Sequence, residues 1–138
     1  MKFLLWIIYY FLGCFILLSA LIVFSVGMSL FFPHTIMAKI WFIKKQEYSF
    51  MLTNRFWFGL GFWMLAIIMT ITGIGWFLMR KWARILACGI FLFNGISDAI
   101  RLLSGDFLGG SIGVFISLLI FYYINSTYLK RYFASNLH

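Results

Sequence analysis

From Phe3 to Phe32 the chain runs without one charged residue. That is longer than the ~20 apolar residues needed to cross the ~30 Å hydrocarbon layer of a membrane as a helix. The run reads as a transmembrane helix, tilted or projecting past the bilayer at one end. Pro33 closes it, because proline disfavours helical backbone in the residue before it. A lysine at position 2 followed by an apolar stretch also begins a secretory signal peptide, and Phe11-Leu12-Gly13-Cys14 faintly echoes a lipoprotein cleavage site. The apolar run continues well beyond Cys14 and no small-x-small site leads into a polar region, so a retained span is expected.

The remaining sequence repeats the constraint. Of 138 residues, 64% are hydrophobic and 10% charged, and mean hydropathy is +1.03, where an ordinary soluble domain carries ~25% charged residues. Further apolar runs cover about 56–79, 85–104 and 107–129. With 3–32 they predict an all-α fold, an integral membrane four-helix bundle forming one domain over 1–138. Four crossings use about 80 residues, which excludes a large extramembrane domain. Arg80-Lys81-Trp82-Ala83-Arg84 is expected to reverse the chain between spans two and three, and a turn with Gly105 and Asp106 to join spans three and four. Lys130 to His138 reads as a short basic tail. Between spans one and two, residues 34–55 mix Lys39, Lys44, Lys45, Glu47 and Arg55 with Trp41, Phe42, Tyr48 and Phe50, a blend suited to the headgroup layer. Ile36, Ile40 and Ile43 share one helical face. A short interfacial helix within Ile36 to Tyr48 and an ordered loop over the bundle both fit.

Eleven Lys and Arg against three acids give a net charge of +8. In a soluble protein this would suggest nucleic acid. Here the basic residues, Lys39, Lys44, Lys45, Arg80, Lys81 and Arg84 among them, flank apolar runs and face lipid headgroups, so the bilayer is the expected partner and nucleic acid is not. Six basic residues (Lys2, Arg80, Lys81, Arg84, Lys130, Arg131) fall on one side of the predicted threading and five (Lys39, Lys44, Lys45, Arg55, Arg101) on the other. The first set is concentrated in very short segments, which favours both termini in the cytoplasm. So flat a bias also permits insertion in both orientations.

The sharpest feature lies in span three. Asn94, Asp98 and Arg101, spaced four and three apart, fall along one helical stripe with Ala87, Phe91 and Gly105. A charge at the centre of a membrane helix costs about 3 kcal/mol on insertion scales, so the stripe is expected to face the bundle interior or water. It reads either as an intramembrane polar or ion-conducting site, or as a pair in which Arg101 neutralises Asp98 while Asn94 bonds a neighbouring helix; the second is favoured. In span four Gly109, Gly113 and Ser117 make a strip for close helix approach. Asn125-Ser126-Thr127 has the form of a glycosylation sequon at the end of a span and reads as coincidence.

Several chemistries lack their parts. His34 and His138 are the two histidines, so bis-histidine haem ligation within the spans is excluded. Cys14 and Cys88 lie in apolar runs without a CxxC pattern and read as packing residues. There is no HExxH, no Ser-His-Asp set and no glycine-rich phosphate loop, so no catalytic residue, metal ligand or cofactor is implied.

From Gly73 to Phe133 the chain resembles small uncharacterised prokaryotic four-span membrane proteins of the DUF2127-like type. Gly73-Ile74-Gly75-Trp76, Trp82-Ala83-Arg84, Tyr122-Tyr123 and Tyr128-Leu129-Lys130-Arg131-Tyr132-Phe133 carry the resemblance. It implies the four-span topology and a prokaryotic inner membrane, and leaves activity open. The expected function is that of a non-catalytic accessory or scaffold subunit packing against other membrane proteins. The alternative is a small homo-oligomeric channel or transporter with a polar path along span three. Cysteine labelling from each face should modify the 80–84 turn from the cytoplasmic side alone. Equal labelling from both faces would establish dual topology, and exclusive external labelling would invert the orientation.

Overall fold

The computed structural model describes residues 2–32, 34, 36, 39, 45–105 and 107–135. The fold is all-α: among the described residues there are helices α1 (Lys2–Phe31), α2 (Lys45–Thr53), α3 (Arg55–Phe77), α4 (Lys81–Leu103), α5 (Phe107–Asn125) and α6 (Thr127–Ser135), and no strand. Four of them are long and apolar enough to cross a membrane: α1 over Trp6–Phe31, α3, α4 and α5. At 1.5 Å per residue the 19 residues of α5 reach about 28 Å, close to the hydrocarbon thickness, and the 23 of α3 and α4 exceed it. Large apolar side chains such as Phe11, Leu21, Phe93, Ile112 and Phe115 point outward. That outside would be insoluble in water and suits lipid, so the chain is a multi-pass integral membrane protein.

The chain divides into two compact units, Met1–Ile74 and Gly75–His138. In the first, α1 and α3 run antiparallel: a Cβ on Gly27 would meet Trp63, one on Gly59 would meet Phe31, and one on Gly73 would meet Leu17. The Trp63 indole lies 5.1 Å from the Phe31 ring and 6.1 Å from that of Phe24, centroid to centroid. Hydroxyls in these helices bond to carbonyls of their own helix: Ser25 donates to Leu21 O, Thr70 to Ala66 O and Thr72 to Ile68 O, at 2.7 to 2.8 Å. In a layer without water this satisfies these three hydroxyl protons within their own helices. The expected interfacial helix falls largely outside the described residues. Ile36 and Lys39 have helical backbone, and α2 starts at Lys45, later than the stretch centred on Ile36 to Tyr48.

In the second unit two boundaries differ from the sequence reading. The reversal after α3 is tighter than Arg80 to Arg84. Met79 adopts φ 55, its N–H donates to Trp76 O, and the Arg80 N–H donates to Gly75 O, both at 2.9 Å. This is a Schellman closure with methionine in the left-handed position usually held by glycine. Arg80 then turns extended (φ −75, ψ 132) and serves as N-cap residue of α4, its carbonyl accepting from Ala83 N–H at 3.1 Å. Lys81, Trp82 and Arg84 are thus helical, in keeping with the helix propensity of Lys, Ala and Arg.

The last span also ends earlier. α5 stops at Asn125, and Ser126 starts a separate helix: its Oγ accepts from Leu129 N–H at 3.4 Å and its carbonyl from Lys130 N–H at 3.1 Å. Serine is a strong N-cap because its oxygen replaces the missing intrahelical acceptor. The segment read as a basic tail is therefore helical as far as Ser135. Leu129 and Phe133, one turn apart, are buried while Lys130 and Arg131 are exposed. Phe133 meets the fully buried Trp76 edge to face, with centroids 5.1 Å apart. Between α4 and α5, Gly105 takes φ +102, which L side chains rarely adopt.

A non-glycine residue in the left-handed region costs about 1 to 2 kcal/mol, against which glycine loses up to ~1 kcal/mol more chain entropy. Met79→Gly should therefore raise thermal stability in detergent by about 0.5 to 1 kcal/mol, and Met79→Val should lower it. A lower midpoint for Met79→Gly would show that contacts of the Met79 side chain outweigh its backbone strain.

Candidate functional site

The antiparallel seam of α4 and α5 holds Asp98, Ser117 and Asn125. Going along α4 from its C-terminal end, Leu102 lies against Gly110, Asp98 against Gly113 and Gly95 against Ser117, while Cys88 receives a hydrogen bond from Asn125 Nδ2 at 3.5 Å. Steps of three and four residues alternate on both helices, the spacing that keeps one face turned to an antiparallel neighbour. The sequence reading assumed a constant step of four on α5. The observed alternation puts buried Gly110 into the contact and leaves Gly109 half-buried beside it.

One of these contacts admits only glycine, and a second leaves room for a Cβ only if a side chain shifts. A Cβ on Gly110 would stand 2.6 Å from the Leu102 backbone nitrogen and 2.7 Å from its Cα, neither of which can move aside. A Cβ on Gly113 would fall on the Asp98 carboxylate. That carboxylate thus lies directly on the α5 backbone.

Asp98 Oδ1 accepts from Arg101 Nη1 at 3.3 Å, with the Asp98 side chain 20% exposed and that of Arg101 47% exposed. The geometry shows the ion pair one turn apart that the spacing allows. The Arg101 guanidinium folds back one turn along α4 to reach the carboxylate and stays about half exposed. Asn94 does not share the seam. It is exposed, as is Ser97. At ~100° per residue the seam through Phe91, Gly95, Asp98 and Leu102 passes about 80° from the line joining Asn94 and Arg101, and Ser97 lies further round on that same side. The stripe read from the sequence is therefore two half-stripes, one packed on α5 and one turned outward.

A groove of about 240 Å³ opens beside the seam, lined by Phe91, Gly95, Ala99, Ser117 and Phe121 among others. Ser117 gives this lining its hydroxyl; the other side chains are apolar. Among the described residues no three His, Cys, Asp or Glu side chains converge as a metal site would require, and both cysteines are free thiols. Of the basic interfacial residues, Lys39, Arg80 and Lys81 are exposed and Arg84 is half-buried. Lys44 and the Lys45 side chain lie outside the described residues.

Sequence reasoning misses Asn125, whose place in a sequon conceals its contact. Its Nδ2 bonds both Cys88 Sγ and, at 3.2 Å, Phe121 O, tying α5 to α4 near its end. The available signal was a carboxamide closing an apolar span, where water cannot satisfy it.

No protein-family model, no curated protein and no solved structure matches this chain.

The Asp98 and Arg101 charges should behave as one unit. Asp98→Asn and Arg101→Gln together are expected to cost about 1 kcal/mol less than the sum of the single changes in a detergent thermal assay, because each single change strands its partner in a medium of low dielectric. Additivity within ~0.3 kcal/mol would show two independent groups.

Proposed function

We propose that the chain is a non-catalytic membrane component, an accessory or scaffold subunit that packs against other membrane proteins through the outward face of α4. The observation that carries this reading is the exposure of Asn94 and Ser97. Asn94 is close to Leu92, the midpoint of Lys81–Leu103, and so belongs near the bilayer centre. A carboxamide facing lipid there forgoes its hydrogen bonds at a cost of a few kcal/mol. A helix contributed by another subunit restores them, since Ser, Thr, Asn and Gln bond across helices. In the most apolar 18-residue stretch of α4 only 11% of the residues are buried, so surface for such a contact is ample.

The second reading is a homo-oligomeric channel or transporter. It is favoured by the same two residues, because copies arranged around Asn94 and Ser97 would line a polar path along α4. Against it, Asp98 is paired with Arg101 and covered by α5, and the hydroxyls of Thr70, Thr72 and Ser111 donate to carbonyls of their own helices. Placement in a prokaryotic inner membrane with both termini cytoplasmic follows from the resemblance and from the short basic segments, and belongs to the same proposal.

Purification in a mild detergent tests the choice. Unrelated subunits at fixed stoichiometry, lost in Asn94→Leu, support the accessory role. A homo-oligomer whose liposome flux disappears in Asn94→Leu while the fold and the oligomer persist supports the channel. A monodisperse monomer unchanged by Asn94→Leu overturns both.

A further inference from the structure

One guanidinium nitrogen of Arg84, Nη1, is buried without a hydrogen-bond partner among the described residues. A permanently charged group held this way is costly unless a counter-ion compensates it. Arg84 lies one turn before Cys88 on α4, Cys88 receives the Asn125 Nδ2 hydrogen bond at 3.5 Å, and Lys130 follows Asn125 by five residues in the first turn of α6. The helices thus bring two cations to one end of the second unit, with exposed Arg80, Lys81 and Arg131 as chain neighbours. Among the described residues no acid of the unit answers them. Asp98 is about 21 Å from Arg84 along α4 and is occupied by Arg101, and Asp106 follows the opposite end of the helix. Arg84 stands in the first turn of the span α4 and Lys130 just past the end of the span α5, where phosphodiester headgroups lie.

We propose that Arg84 and Lys130 form a site for a phosphoanion. The planar guanidinium takes two phosphate oxygens and the lysine ammonium a third. Guanidinium charge is shared over three nitrogens, so an anion at its accessible edge also compensates the buried one. At headgroup depth the fitting source is the phosphodiester of an anionic lipid, and a free phosphate ion offers the same chemistry. This site is independent of the outward face of α4.

The test titrates the purified full chain in neutral detergent with phosphatidylglycerol, phosphatidylcholine or inorganic phosphate, reading retained lipid by native mass spectrometry and stability by thermal unfolding. One phosphatidylglycerol should be retained per chain. Its affinity should fall about tenfold in Arg84→Gln and in Lys130→Gln, as for a lost charge-assisted contact, and stay unchanged in Arg55→Gln. Arg84→Lys serves as the folding control with its charge intact. Without lipid, Arg84→Gln should unfold at or above the wild-type temperature, since it removes an uncompensated charge, and with phosphatidylglycerol the order should reverse. Stabilisation by millimolar phosphate, lost in Arg84→Gln and without lipid retention, supports the site and assigns it to the free ion. Equal weakening in Arg55→Gln, equal retention of phosphatidylcholine, or an Arg84→Gln variant destabilised to the same extent with and without lipid would overturn the proposal.

Discussion

The close approach of α4 and α5 is the constraint from which the second unit follows. In lipid, apolar surface gains nothing by meeting apolar surface of another helix, so association depends on dispersion contacts and on hydrogen bonds that lipid cannot supply. Dispersion falls off within an ångström of optimal distance, and backbones must come near each other for it to count. Gly110 and Gly113 permit that approach. The same missing Cβ at Gly113 makes room for the Asp98 carboxylate, so the position that allows packing also shelters the charge.

The two units use small residues in different ways. In the α1 and α3 pair, glycines receive the rings of Phe31 and Trp63, and aromatic stacking holds the seam. In the α4 and α5 pair, glycines receive a backbone and a carboxylate. Aromatic contacts add about 0.5 to 1.5 kcal/mol beyond their area and tolerate adjustment, whereas a backbone-to-backbone contact fixes register closely. The polar residues are found where register is most tightly fixed.

Much of this was legible in the sequence, and the failures have physical causes. Uncharged apolar runs located spans one, two and four, and an apolar run interrupted only by Asp98 and Arg101 located span three, because charge at membrane depth is too costly to be frequent. Ends were harder. Arg80 to Arg84 looked like a loop because cations mark interfaces, yet Lys, Ala and Arg are also good helix formers, and the turn was made by a left-handed Met79 that no residue preference announces. Ser126 was hidden within a run of polar residues whose capping role depends on where α5 stops. The Asp98 and Arg101 pairing was readable because both residues are on one helix. Asn94 was not separable from it, since Asn94, Asp98 and Arg101 fall within an arc of about 60°, and the edge of a seam inside so narrow an arc cannot be read from one helix alone.

The antiparallel arrangement of α4 and α5 also bears on how the charge enters the bilayer. Loop-closure entropy is smallest for residues nearest the turn, so pairing that spreads from Ser104 and Gly105 meets Leu102 with Gly110 first and Asp98 with Gly113 next. The carboxylate is thus among the first groups covered as the hairpin zips, ahead of the apolar contacts further along. A helix inserted singly would present Asp98 bare to hydrocarbon. Entering as a hairpin, the two helices carry the acid across already lying on a glycine backbone, and the seam acts as a chaperone for its own least soluble residue.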